Sequence, residues 1–550
     1  MSGLNTASAL VDIRDLRVSF NGVAVVHGVD LQVRAGQCVA LVGESGSGKS
    51  VTARSLVGLA GHGAQVQAQR LEFAGRDLRV FDQADYQRLR GAQIGFIMQD
   101  ALGSLDPLRR VGGEIEEALL LHSDLGAEAR RLRVLQLLAE VGVPEPQVRA
   151  QQYSWQLSGG LRQRALIASA MACRPRLLIA DEPTTALDAT VQAQILRLLE
   201  QLRDEQNSLL IVSHDLAVVA RLADWVVVMR GGHVVEQGSA EQILQDPQDP
   251  YTQRLLSAAR AVHLQRPTQP ALALVEPSAS GIEQPVLLAA SGLGKSFAGP
   301  DGSVRQVLNE VSLQLRAGQT LGVVGESGSG KSTLGRILLG LEQPDQGRVE
   351  FAGSDWLALG AEQKRRARQG IQVVFQDPLA SFDPRYSVLR VLSEALALAG
   401  VPRSLQRAEA VALLERVQLP ASVLERRPLE LSGGQRQRIA IARALAMKPR
   451  LLICDEPVSA LDVSVQARIL ALLAELKAEL NLACLFISHD LGVVEQVSDH
   501  VLVMQAGRVV EQGSAAQVLG QPRHAYTRAL LDAVPTLPPA QPLWVRRLAV

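Results

Sequence analysis

Gly43-Glu44-Ser45-Gly46-Ser47-Gly48-Lys49-Ser50 and Gly325-Glu326-Ser327-Gly328-Ser329-Gly330-Lys331-Ser332 are two copies of one pattern whose chemistry is phosphate binding. Glycine lets the backbone turn tightly and aim successive N–H groups at phosphate oxygens, and a following helix adds its positive N-terminal end. Lys49 and Lys331 are placed to reach the β/γ-phosphates, and Ser50 and Ser332 to ligate Mg²⁺. Only six of the 56 basic residues are lysines, and these are two of the six, so lysine here is chemically required rather than a habit of composition. Asp181 and Asp455 end apolar runs, where a carboxylate would hold the Mg²⁺ shell. Glu182 and Glu456 follow directly and suit a general base for an attacking water. Such pairs on their own read as helix caps; the phosphate loops upstream favour catalysis. Leu157-Ser158-Gly159-Gly160 and Leu431-Ser432-Gly433-Gly434 each place an N-cap serine and two glycines before an arginine-rich helix, a second anion-binding helix end.

These groups recur in the same order and at nearly the same offset, which means two homologous domains rather than a solenoid of small units. At 550 residues the chain is too long for one core. The segment 263–285 carries Pro267, Pro270, Pro277 and Pro285 and reads as an extended linker, so domain one spans 1–262 and domain two 286–550. Short apolar runs at 37–42, 176–180 and 209–212, and at 320–324, 451–454 and 484–487, predict strands buried on both faces. Helices are expected over 50–59 and 332–341, directly after the loops. Alternating strands and helices predict an α/β fold with a mostly parallel sheet in each domain. Helical periodicity over about 102–156 predicts a helical subdomain inserted in the first core. Gly294-Lys295-Ser296 looks like a loop ending, but Ala289 stands where the first glycine should be, so it is read as coincidence.

Hydrophobic content of 47% and charged content of 20% describe an ordinary globular chain. Zero net charge, a pI near 7.1 and 3% aromatics lack the electrostatic footprint of a nucleic-acid binder. Cys38, Cys173, Cys454 and Cys484 are scattered and read as core residues of a reducing compartment, not as a metal or iron–sulfur site. The N-terminal residues do not read as a signal peptide, and no run approaches the roughly 18 apolar residues of a membrane span.

The ordered set of phosphate loop, glutamine, Leu-Ser-Gly-Gly, Asp-Glu strand end, Ala-Leu-Asp and Ser-His-Asp resembles the ATPase domain of ATP-binding-cassette proteins over nearly the whole chain. The resemblance implies two tandem P-loop ATPase domains, each with a helical signature subdomain, working with ATP and Mg²⁺. It implies Gln99 and Gln376 as metal-sensing glutamines, His214 and His489 at the γ-phosphate, and Asp188 and Asp462 as the Ala-Leu-Asp aspartates between halves. Phe20 and Phe297 match the aromatic that stacks on adenine, and Val51 and Thr333 the residue after each loop. It also implies shared sites: Lys49 with Ser432 and Gly434, and Lys331 with Ser158 and Gly160.

Finer likenesses narrow the branch. Gln376-Asp377-Pro378-Leu379-Ala380-Ser381-Phe382-Asp383-Pro384, and more loosely the stretch from Gln99 to Pro107, resemble dipeptide, oligopeptide and nickel importers. Pro247-Gln248-Asp249-Pro250-Tyr251-Thr252 and Pro522-Arg523-His524-Ala525-Tyr526-Thr527 resemble the motif that closes the same ATPases. Fusion of both ATPases in one chain is similar to the glutathione and microcin C importers. What this implies is a peripheral ATPase on the cytoplasmic face of the inner membrane, under two transmembrane permease subunits, with an external binding protein delivering peptides or similar solutes. The alternative is a soluble tandem ATPase acting on ribosomes, against which the proline-rich linker and zero net charge both speak. One asymmetry is specific to this chain: Gln435 follows the second signature, but Leu161 follows the first, so the site containing Lys331 is expected to be weakened and not inactivated.

Overall fold

The structure, a computed structural model, describes residues 9–99, 101–185, 187–203, 207–262, 284–298, 304–459 and 461–537. Most of the expected linker, and Asp100 of the glutamine stretch, lie outside the described residues. Contacts divide the chain into two compact units, with the main division between Arg260 and Ala261. The first unit ends in a helix, Pro250–Val262, and the first strand of the second is Val286–Ala298.

The first unit is built on a six-stranded sheet in the order His233–Ser239, Trp225–Arg230, Cys38–Val42, Ser208–Ser213, Leu177–Asp181, Ile94–Ile97. All neighbours run parallel except the first two. Cys38–Val42 and Leu177–Asp181 are buried along their whole length, which is why they are continuous apolar runs rather than alternating ones. Gly231 and Gly232, both at positive φ, close the antiparallel edge hairpin. The second unit repeats this order as Arg508–Ser514, His500–Gln505, Thr320–Val324, Ala483–Ile487, Leu451–Asp455, Ile371–Val374.

Each unit also carries an antiparallel sheet that the apolar runs did not reveal. In the first, Val11–Phe20 and Val23–Val33 form a hairpin across Asn21-Gly22, with φ of 49° and 81°. In the second, Val286–Ala298 pairs with Val304–Arg316. Gly294, Lys295 and Ser296 lie within that pairing, and Lys295 bonds Glu342 and Asp345, so the lookalike segment is a strand. The expected helical insert is present as Val111–His122 and Ala127–Glu140, packed through Ile115, Leu119, Val134, Leu137 and Leu138 on the signature helix Gly159–Met171. Cys38, Cys454 and Cys484 are buried strand residues, and all four cysteines are free thiols.

The helices after the phosphate loops are shorter than expected, Lys49–Ser55 and Lys331–Leu338. Gly58 and Gly340, at φ of 65° and 64°, end them. The N–H groups of Leu59 and Leu341 reach back to the carbonyls of Arg54 and Arg336, closing a Schellman-type turn that stops the helix.

Candidate active sites

In each phosphate loop three glycines take positive φ: 152°, 79° and 94° at Gly43, Gly46 and Gly48, and 152°, 80° and 102° at Gly325, Gly328 and Gly330. Gly43 and Gly325 face a further constraint, since a Cβ there would lie 2.1 and 2.2 Å from the carbonyl oxygens of Met229 and Met504. The loop lysines point back along their own loops. Lys49 Nζ donates to the carbonyls of Gly43 and Glu44, both at 2.8 Å, and Lys331 Nζ to those of Gly325 and Glu326 at 2.7 and 2.8 Å. Burial pushes the Lys331 ammonium below its usual range, although the carboxylates of Glu456 and Asp455 pull the other way. Ser329 Oγ is buried in the same loop with no hydrogen-bond partner among the described residues. A buried ammonium, an unpartnered hydroxyl and a cradle closed to any Cβ fit a bound polyphosphate. Val51 and Thr333 sit in the first turn of the helix that follows, where Val51 packs into the core.

Ser50 Oγ donates to Asp181 Oδ1 at 2.8 Å, and Arg54 holds the other oxygen at 3.0 Å. Burial nevertheless keeps the Asp181 pKa above its ordinary value. In the second unit Ser332 lies 3.5 Å from Asp455, a longer contact. Burial, and then the neighbouring charge of Glu456, raise the Asp455 pKa. A metal held by serine, aspartate and phosphate fits this geometry in both units.

Glu182 and Glu456 adopt φ of 52° and 49°, which costs a non-glycine residue of order 1–3 kcal/mol. The same outlier in both copies aims each carboxylate at a histidine: His214 Nδ1 to Glu182 Oε1 and His489 Nδ1 to Glu456 Oε1, both 3.1 Å. Gln99 Nε2 donates to Glu182 Oε2 at 2.7 Å, whereas Gln376 reaches Ser459 Oγ at 3.3 Å. Thr185, 3.1 Å from Glu182, and Ser459 were not picked out from the sequence. Their signal was a hydroxyl three residues after the glutamate in both copies.

Burial alone would raise the Glu182 pKa, but the hydrogen bond and charge of His214 hold it below the usual value. Burial would lower the His214 pKa, and the bond to Glu182 overrides that and raises it. Glu456 and His489 repeat both effects. The glutamate's contribution to stability is present above its ordinary value of 4.5 and is lost as pH falls through the lowered folded value. The histidine's contribution is full below its ordinary value of 6.5 and is lost as pH rises through the raised folded value. Without nucleotide, the unfolding midpoint of the parent should therefore fall as pH rises above the histidines' ordinary 6.5, and the fall should shrink in the double variant His214→Gln, His489→Gln. Thermal scans at constant salt check this; parallel profiles would exclude the ion pairs as a stability term.

Ser158 and Ser432 cap the signature helices Gly159–Met171 and Gly433–Leu445. Gly160 and Gly434 have a packing reason as well, since a Cβ would come within 2.5 and 2.4 Å of Val191 and Val465. The two caps differ. Gln435 Oε1 accepts the Ser432 N–H at 3.0 Å while Ser432 Oγ accepts the Gln435 N–H at 3.3 Å, a closed capping box. Leu161 cannot close the box, its N–H lies 3.5 Å from Ser158 Oγ, and its side chain packs on the helical core.

Asp462 caps the helix Val463–Leu480 through the Val465 N–H, and Asp188 directly precedes the helix Ala189–Leu202. Phe20 is partly buried in the core, with Gly61 beside its ring. Phe297 is 42% exposed, with Lys295 Nζ 5.2 Å from its ring centre. The two phenylalanines thus occupy different environments. Among the described residues no group of three or more His, Cys, Asp or Glu is placed to hold a metal ion, and no helix is long and apolar enough to cross a membrane.

Comparison with known proteins agrees with this double construction. The sequence profile described as "ABC transporter" matches residues 26–185 and again 308–459. That described as "Oligopeptide/dipeptide transporter, C-terminal region" matches 235–284 and 510–549. The chain is similar to the peptidoglycan transport ATP-binding protein YejF of Agrobacterium fabrum, 45% identical over 95% of this chain and 96% of the relative. It is 43% identical to the glutathione import ATP-binding protein GsiA of Salmonella typhimurium, over 97% of this chain and 90% of the relative. It is 40% identical to the oligopeptide transport ATP-binding protein OppD of Mycobacterium tuberculosis, over 97% of this chain and all of the relative.

Proposed function

Since the chain belongs to the ABC transporter family, we propose that its ATPase activity drives import of peptides or related small solutes through a membrane permease. The observation that carries this is the pairing, twice in one chain, of an ABC ATPase core with the C-terminal region of oligopeptide and dipeptide transporters. The three relatives, each matched over most of its length, are ATP-binding proteins of peptidoglycan transport, glutathione import and oligopeptide transport. None of this points to ribosomes.

Bound ATP supplies the phosphoanhydride bond that is broken, and Mg²⁺ the charge that offsets its phosphates. Around them the phosphate loops would bind through backbone N–H groups and through Lys49 and Lys331. Ser50 with Asp181, and Ser332 with Asp455, would hold the metal, with Gln99 and Gln376 beside it. Glu182 and Glu456 would accept the proton of the attacking water. His214 and His489, oriented through Nδ1 by the glutamates, would turn Nε2 to the γ-phosphate. Phe20 and Phe297 would stack on adenine. In this reading the halves work head to tail, Lys49 with Ser432 and Gly434 and Lys331 with Ser158 and Gly160, with Asp188 and Asp462 between them. That part rests on the family resemblance and the doubled profile. In this reading the chain sits peripherally on the cytoplasmic face of the inner membrane, its partners are two transmembrane permease subunits, and an external binding protein acts through them.

Purification of the native complex from membranes tests the proposal. Two permease subunits are expected to accompany the chain, and recovery with ribosomes instead would sink it.

The signature asymmetry adds a measurable detail. Leu161→Gln should change ATP use only at the Lys331 site, and by no more than about tenfold, the worth of one neutral hydrogen bond. Assays in Glu182→Gln and Glu456→Gln backgrounds separate the two sites, and an effect confined to the Lys49 site would overturn the pairing.

A further inference from the structure

We propose that the C-terminal segment of each unit belongs to the nucleotide-binding machinery, with Tyr251 and Tyr526 as positioning residues that set the phosphate-loop lysines. Each tyrosine lies in the first turn of a late helix, Pro250–Val262 or Ala525–Ala533. The Tyr251 hydroxyl oxygen accepts the Glu44 N–H at 3.1 Å, and the Tyr526 hydroxyl oxygen accepts the Glu326 N–H at 3.1 Å. These contacts join residues 207 and 200 positions apart in the chain. The N–H that each tyrosine receives and the carbonyl that each lysine grips belong to one rigid peptide unit. Gly43 C=O accepts Lys49 Nζ while Glu44 N–H meets Tyr251, and Gly325 C=O accepts Lys331 Nζ while Glu326 N–H meets Tyr526. The peptide is pinned at both ends, so its rotation and the lysine's position are linked.

The tyrosines are themselves held. Glu236 accepts the Gln248 and Asp249 N–H groups at 2.7 and 3.2 Å, and Glu511 accepts those of Arg523 and His524 at 2.8 and 3.0 Å. Asp249 Oδ1 then accepts the Tyr251 N–H at 2.7 Å, and His524 Nδ1 the Tyr526 N–H at 3.2 Å. Asp249 and Pro250 of the first copy are His524 and Ala525 in the second, yet the same chain from strand carboxylate to turn to tyrosine to loop forms in both. Burial pushes the Tyr526 hydroxyl up to about 12, so it remains a neutral phenol across the physiological range.

This inference rests on the reading of the two loops as phosphate-binding, and its test separates the two ideas. In the full-length chain, Tyr251→Phe with Tyr526→Phe keeps both rings and removes only the hydroxyls. The affinity for a fluorescent ATP analogue and the KM for ATP should weaken about 3- to 10-fold, the range of one neutral hydrogen bond. Turnover at saturating ATP and the unfolding midpoint without nucleotide should stay close to the parent's. Glu236→Gln with Glu511→Gln, which weakens the turn while leaving the tyrosines in place, should shift affinity in the same direction by less. Unchanged affinity in the tyrosine variant overturns the inference, as does a fall in turnover or midpoint with KM constant, which is what a purely structural hydroxyl would produce. Lys49→Ala with Lys331→Ala is the control: if it binds the analogue as the parent does, the phosphate-loop reading itself fails.

Discussion

Replacing Glu182 and Glu456 together by glutamine is expected to leave ATP binding intact and to cut turnover at least about a hundredfold, the lower end of what a positioned general base contributes. Glutamine keeps the volume of each side chain and one acceptor for the histidine, so the geometry around His214 and His489 should survive. What disappears is a carboxylate held ionised by its partner, the group proposed to take the proton of the attacking water. Both glutamates occupy a left-handed backbone conformation that costs stability, and it recurs in both copies. Phosphate release and nucleotide binding, measured on the same preparation, decide the matter. Activity within a few-fold of the parent would remove both residues from the role of base.

Gly43→Ala with Gly325→Ala is expected to weaken ATP binding by at least about a hundredfold, because strain of order 1–3 kcal/mol per loop is joined by steric overlap. Each added methyl would lie within 2.2 Å of a backbone carbonyl, at Met229 or Met504, which cannot swing aside as a side chain could. The loop must then leave the conformation that aims its N–H groups inward. Gly113→Ala is the matched control, since that helical glycine has open space around it and no positive φ. Near-parental affinity in the loop variant, measured by titration, would show that the cradle does not depend on its first glycine.

The sequence alone determined the duplication, the α/β class and the buried parallel strands, because phosphate loops and strands covered on both faces leave local signatures in spacing and hydropathy. It singled out Lys49 and its counterpart by their glycine loops, and Asp181, Glu182, His214 and their counterparts because each ends or closely follows such a strand. Some signals were present and unread: Asn21-Gly22 between alternating strands announces a hairpin, and Gly58 and Gly340 announce helix ends. Tertiary structure decided the rest. The positive φ of Glu182 and Glu456 occurs where the preceding strand stops, with the Glu182 N–H bonded to Val212 O and the Glu456 N–H to Ile487 O on neighbouring strands. Gly160 and Gly434 look like part of an anion site, yet a Cβ at either would also crowd a Cγ methyl of Val191 or Val465. The different surroundings of Phe20 and Phe297 depend on neighbours outside each motif. Tyr251 and Tyr526 meet their loops across two hundred residues or more, a contact that exists only once the sheet has brought the late helix behind the first loop. Motifs report what a segment contributes by itself, whereas positions set by distant backbone exist only in the folded chain.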